Sequence, residues 1–170
     1  LDARRCISYW TIEHRGLVPR ALRSSLGEWV FGCDLCQDIC PWNRKAPFAD
    51  ERAEALWRPQ VDRAWPNLIE WLTLSDEELN QSLLGSPLRR AFPHGLKRNA
   101  ITTLTNLESI EALPTILACL SHPEYSVRGT AVWGSATLAL RCPVQERRDT
   151  LAHLIEYQSA ETHSEVRDEY

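Results

Sequence analysis

Along the second half of the chain the apolar positions keep a helical period. Leu79, Leu83 and Leu84 make one apolar face, preceded by Ser75-Asp76-Glu77-Glu78 in the form of a capping box and followed by Gly85 as a stop. Ser86-Pro87 opens a new segment. Beyond it the pattern predicts helices near 96–107, 109–121, 124–140, 144–158 and 162–170, separated by short polar turns such as Ser121-His122-Pro123-Glu124 and paired antiparallel. Upstream the elements are shorter. The stretches 7–13 and 19–23 suggest brief helices, the second with Pro19 in its first turn and Gly27 beyond its end. Residues 42–47 read as loop. The stretch that follows carries Pro59 and Pro66 without a sustained period and reads as a connector.

A weak repeat runs through the helical half. Ser126-Val127-Arg128-Gly129-Thr130-Ala131 matches Glu165-Val166-Arg167 at an offset of 39, and Lys97-Arg98-Asn99-Ala100 precedes both. Periods of this size belong to helical-hairpin repeats of the HEAT type, which bury their faces only by stacking on neighbours; an irregular helical bundle is the alternative. Either way this half is expected to be all-α.

Composition sharpens the picture in three places. No apolar run approaches the roughly 20 residues of a membrane helix, and Leu1-Asp2-Ala3-Arg4-Arg5 lacks a signal-peptide pattern, so a cytoplasmic location without a membrane partner is expected. The chain begins with Leu and contains no Met, which suggests a piece of a longer protein. Its formal net charge of -4 is unevenly spread. Between Ser86 and Ala100 stand Arg89, Arg90, Lys97 and Arg98 with His94 and no acid, whereas Glu156 to Tyr170 is strongly acidic.

Chemistry concentrates in the cysteines, four of whose six members lie in the first 40 residues. Cys33, Cys36 and Cys40 are too close together to be three separate disulfide staples and suit one ligand cage in a reducing compartment. Cys33 to Pro41 forms a C-x2-C-x3-C-P string, the tail of the bacterial ferredoxin pattern. Thiolates serve zinc as well as iron–sulfur centres, and a four-cysteine zinc knot of Cys6, Cys33, Cys36 and Cys40 is the alternative; the proline favours iron–sulfur. Cys119, on an apolar helical face, and Cys142, before Pro143, read as buried thiols.

Leu1 to Tyr9, Thr11-Ile12-Glu13 and Phe31 to Asn43 together resemble the second cluster-binding segment of the epoxyqueuosine reductase family. Gly85 to Ala91, Lys97 to Ala100 and Val127 to Gly134 are similar to that family's entry into its helical repeats and to its repeat signature. The resemblance implies a mainly α protein, with a ferredoxin-like iron–sulfur segment followed by HEAT-like α-helical repeats. Its divisions would be residues 1–47 for the second half of a two-cluster 4Fe-4S domain, 48–85 for a helical connector and 86–170 for tRNA-binding repeats. It implies an oxidoreductase with two 4Fe-4S clusters and cobalamin, reducing epoxyqueuosine to queuosine in the wobble position of tRNA. This chain would be the C-terminal part, with the proton donor upstream, and inactive alone. An unidentified protein would donate electrons, and the protein would be a monomer. Carried over by residue, Cys6, Cys33 and Cys36 bind one cluster and Cys40 crosses to the other, Ser8, Cys33 and Asp34 meet cobalamin, and Arg15, Arg89, Arg90, Lys97, Arg98 and Asn99 bind tRNA.

Two other functions fit the residues without the resemblance. One is a ferredoxin-like electron-transfer module fused to a helical protein-interaction domain, against which the acid-free cations of 86–100 argue. The other is a zinc-stapled helical scaffold. The tryptophans read as core or interface anchors, with Trp133 at a buried repeat position and Trp57, Trp65 and Trp71 in the connector.

Overall fold

A computed structural model describes residues 2–45 and 64–170; Trp57 and most of the expected connector lie outside them. The described residues form helices and no strand. In chain order the α-helices are α1 (Arg20–Arg23), α2 (Leu35–Asp38), α3 (Leu68–Thr73), α4 (Asp76–Ser82), α5 (Phe92–Asn106), α6 (Leu113–Ala118), α7 (Tyr125–Ala139), α8 (Val144–Ala160) and α9 (Ser164–Arg167). No helix among the described residues is long and apolar enough to cross a membrane.

The chain divides into two compact units, one of Leu1–Gly32 with Leu68–Tyr170 and one of Cys33–Asn67. This differs from the expected boundaries at 47 and 85. The first 32 residues fold with the helices instead of with the cysteine string, because side chains of the helical half supply the hydrogen bonds that their backbone lacks.

In the first unit α5 and α7 form the central pair. A Cβ on Gly134 would stand 2.7 Å from Thr105 Oγ1 and 3.0 Å from Ile101 Cγ2, so the close approach of the two helices requires glycine there. Ile101, Leu104, Leu113, Ile116, Val127, Ala131, Leu138 and Leu154 make the main core. Trp71, Leu79, Leu83, Ala91 and Leu96 make a second cluster. Helix α5 is buried from Gly95 to Thr105 although much of it is polar. It tolerates this because Thr102 and Thr105 donate to the carbonyls one turn back, Arg98 O at 3.0 Å and Ile101 O at 2.7 Å.

Most expected helices lie within a few residues of their observed positions, and the departures have local causes. The capping box is present, with Glu78 N donating to Ser75 Oγ and Ser75 N donating to Glu78 Oε2, but Leu84 is about half exposed beyond the helix end and does not join the buried face of Leu79 and Leu83. Helix α5 starts four residues early because Pro93 occupies a first-turn position that proline suits. The expected helix at 109–121 is split, with 3₁₀ turns at Ile110–Ala112 and Cys119–Ser121 on either side of α6. Residues 9–13 take a wider π-type turn closed by His14 N donating to Tyr9 O.

The acidic end is built into the fold. Arg128 on α7 holds Glu161, just after α8, through Nε–Oε2 at 2.7 Å and Nη2–Oε1 at 3.0 Å, and also donates to the carbonyls of His122 and Pro123. Arg128's hydrogen bonds, joined by the backbone N–H groups of His163 and Thr162, bring the Glu161 carboxyl from its ordinary 4.5 down to about 2. A depressed carboxylate contributes stability that is fully present above pH 4.5 and is lost as pH falls through about 2. Glu161→Gln should therefore lower the urea midpoint at neutral pH and shrink the difference from the parent protein on acidification. An unchanged gap between pH 5 and pH 2 would contradict the pairing.

Candidate functional site

Within the second unit the cysteine string is shaped by its own backbone. Asp34 O accepts from Gln37 N at 2.8 Å and Asp38 N at 3.0 Å, winding the single turn of α2. Asn43 Nδ2 reaches back to Gln37 O and Oε1, both at 3.0 Å, and ties the end of the string to that turn. Cys36 is exposed and Cys33 and Cys40 are half-buried. Three thiols lie along this turn, a soft donor set that fits iron–sulfur ligation. Cys6 and Ser8, both half-buried, belong to the first unit. Among the described residues no three His, Cys, Asp or Glu side chains are gathered as a metal cage.

The remaining cysteines differ in kind. Cys119 is 5% exposed with Sγ 3.4 Å from Thr115 O, and burial pushes its thiol up to about 11. Cys142 is also buried, beside Leu138 O, and burial raises its thiol too. Both are protonated core thiols, poor metal ligands and poor nucleophiles.

The six residues expected to bind tRNA separate into two groups. Arg15, Arg89 and Arg90 are exposed. Arg89 Nε meets Asn80 Oδ1 at 3.1 Å, and Arg90 pairs with Glu13 at 2.6 Å. Lys97, Arg98 and Asn99 are 3%, 1% and 1% exposed, and their polar groups are engaged inside the protein. Lys97 Nζ donates to Leu74 O at 2.6 Å and pairs with Asp76 at 2.9 Å. Arg98 spends its full fork of donors: Nη1 on His14 O and Gly16 O, Nη2 on Trp10 O and Asn99 Oδ1, and Nε on Asn99 Oδ1. Asn99 Nδ2 completes the clamp on Thr11 O at 2.7 Å and Val30 O at 2.9 Å. Burial draws Arg98 down to about 10, so it keeps its charge at neutral pH. A phosphate could reach the Arg98 and Asn99 groups only by undoing their anchor of residues 10–16. One sequence signal pointed inward: from Gly95 to Thr105 no continuous charged face exists, as in a helix buried all round.

Other polar ties were not foreseen. Asn106 Nδ2 donates to Arg23 O and Gly27 O, both at 2.9 Å. Arg23, 1% exposed, pairs with Glu169 and lies 5.1 Å from the centroid of the half-buried Trp133 ring. Phe92 was also missed as a surface feature. It has φ 60° and ψ 158°, a region that glycine tolerates and phenylalanine enters at a cost of about 1–3 kcal/mol. Its ring carries the Arg15 guanidinium 4.6 Å from the centroid and a parallel His94 imidazole at 5.7 Å. Burial pushes His94 below its ordinary range, leaving it neutral.

The comparisons with known proteins fall on these same features. Residues 1–43 match the family described as "4Fe-4S double cluster binding domain", which places the cysteine segment among iron–sulfur proteins. An epoxyqueuosine reductase from Pseudomonas aeruginosa is 42% identical over 134 residues, covering 78% of this chain and 36% of that protein. One from Xanthomonas campestris is 38% identical over 138 residues, covering 80% and 38%. A crystal structure of epoxyqueuosine reductase with an epoxyqueuosine-modified tRNA stem loop superposes with a TM-score of 0.81 at 27% identity, covering 99% of this chain and 42% of that one. The Bacillus subtilis enzyme superposes at 0.80 with 27% identity over 99% and 43%. The chain belongs to the epoxyqueuosine reductase family and spans little more than a third of the length of the curated relatives it matches.

Arg98→Ala would leave several carbonyls without donors inside the protein. It should lower unfolding free energy by about 2–4 kcal/mol in urea titration, whereas Arg89→Ala should stay within about 0.5 kcal/mol. Equal stability of the two variants would contradict the division between buried and exposed cations.

Proposed function

We propose that this chain serves the reduction of epoxyqueuosine to queuosine in the wobble position of tRNA. The observation that carries this reading is the 42% identity over 134 residues to an enzyme of that name. Support for tRNA as the partner comes from the likeness to a reductase solved with a modified tRNA stem loop. The cysteine segment is read as the ferredoxin-like part of a 4Fe-4S domain and the helices from α5 onward as HEAT-like repeats.

When bound, the two clusters and cobalamin supply the electrons that remove the epoxide oxygen. Cys6, Cys33 and Cys36 would hold one cluster and Cys40 would contribute to the second, while Ser8, Cys33 and Asp34 would contact cobalamin. The exposed Arg15, Arg89 and Arg90 take tRNA phosphates, which orient the RNA without reading its sequence. No acid of this chain is assigned as proton donor. A cytoplasmic monomer receiving electrons from a separate protein completes the reading. The rival electron-transfer module with a protein partner loses ground less decisively than the sequence suggested, since only Arg89 and Arg90 of the four arginine and lysine side chains in 86–100 reach solvent.

Anaerobic reconstitution tests the ligand set. The protein should gain iron and sulfide with an absorbance band at about 400 nm that reductant bleaches. Cys36→Ala should lose iron, and Cys119→Ala should retain it. Zinc bound without colour would overturn the cluster reading, and equal iron loss in the two variants would overturn the division of cysteines.

A further inference from the structure

Phe92 is a large apolar side chain, 49% exposed, in a backbone conformation that favours glycine. Packing does not account for its presence, since only the flanking Ala91 and Leu96 enter the second core cluster. It stands at the centre of a π assembly, with Arg15 over its ring and the neutral His94 parallel to it. Beside it Asn80, Arg89 and Pro93, with Asp76 and Glu77, line an open recess of about 350 Å³. Asp76 is already engaged by Lys97 and His122, and Arg89 Nε donates to Asn80 Oδ1, so Glu77, the Asn80 amide N–H groups and the Arg89 Nη groups are the polar groups left to meet a ligand. Arg89 and Arg90 are exposed on the turn leading into Phe92.

Cations around an exposed aromatic ring suit single-stranded nucleic acid. Phosphates draw the arginines, and an unpaired base stacks on rings and guanidinium planes alike. We propose that the Arg15–Phe92–His94 stack is the landing surface for an unpaired base of the bound RNA, whose polar edge faces Asn80, Glu77 and Arg89 in the neighbouring recess. This rests on the reading of tRNA as partner and adds a contact specific to unpaired RNA. The charge complementarity of Arg15, Arg89 and Arg90 favours RNA over an apolar protein segment as occupant.

The backbone at Phe92 separates binding from folding in the test. Phe92→Gly relieves the positive φ and should raise the melting temperature of the full chain, while Phe92→Leu keeps an apolar side chain without a ring and Phe92→Trp keeps a ring. Affinities are measured by fluorescence anisotropy for a tRNA anticodon stem loop and for a fully paired duplex of equal charge. The Gly and Leu variants should bind the stem loop roughly tenfold more weakly, the Trp variant should match the parent, and duplex affinity should not change in any of them. A 2-aminopurine placed in the loop should be quenched by the parent and Trp proteins and not by the Leu variant. Unchanged stem-loop affinity in Phe92→Leu, or equal loss on the duplex, overturns the stacking proposal and leaves tRNA as partner. A parent protein that binds no stem loop overturns both.

Discussion

A single buried guanidinium holds the amino-terminal segment in place. Beyond the π-type turn at Tyr9–Glu13 the backbone of this segment has little ladder of its own, and the carbonyls of Trp10, His14 and Gly16 accept from a helix more than 80 residues along the chain. Arg98 and Asn99 turn that helix into a set of donors aimed at Trp10, Thr11, His14, Gly16 and Val30. A buried charge without an acid partner is costly, and here carbonyl dipoles take the place of water around it. The wide turn at Tyr9–Glu13 follows, since two of the carbonyls in it are claimed from outside. The residues just after Cys6 are thus set by α5.

The same logic recurs at the other end of that segment. Asn106, about two turns beyond Arg98 on the same helix, supplies donors to Arg23 O and Gly27 O, while Arg20 and Arg23 both reach Glu169 near the end of the chain. Gly129 on α7 completes the docking by making room for Leu17, whose Cδ2 would lie 2.8 Å from a Cβ there. Polar ties of this kind specify one arrangement more sharply than apolar burial, because a shifted register would leave several donors and carbonyls unmet at once. They explain why residues 1–32 group with the helices although the motif they open continues into the cysteine string.

The helices were legible because burial of one face imposes a period that composition cannot hide, and capping chemistry marks the ends, as at Ser75 and Glu78. The cysteine string was legible as chemistry because its spacing is local. The role of Lys97, Arg98 and Asn99 was not. Charge in a sequence reads as exposure, and whether a guanidinium faces water or carbonyls depends on residues 82–88 positions away. Phe92 was opaque for a different reason, since neither its backbone angle nor the Arg15 contact can be read from the residues around it.

The burial of Lys97, Arg98 and Asn99 bears on how RNA binding would be supplied. Of the three exposed cations proposed to take phosphates, Arg90 is paired with Glu13, and Arg15 is shared between Ile12 O and the Phe92 ring. So small a set, on a chain of net charge -4, releases few counterions and cannot supply the strong, salt-sensitive attraction of a broad basic face. Under the tRNA reading proposed above, recognition would depend on contacts that charge counting does not register, namely shape, hydrogen bonds to base edges and stacking. Such contacts distinguish unpaired from paired RNA, whereas phosphate contacts alone do not. On the proposed function, selectivity would follow from that balance, because a weak field leaves duplex regions loosely held while an exposed ring rewards a base already out of its helix.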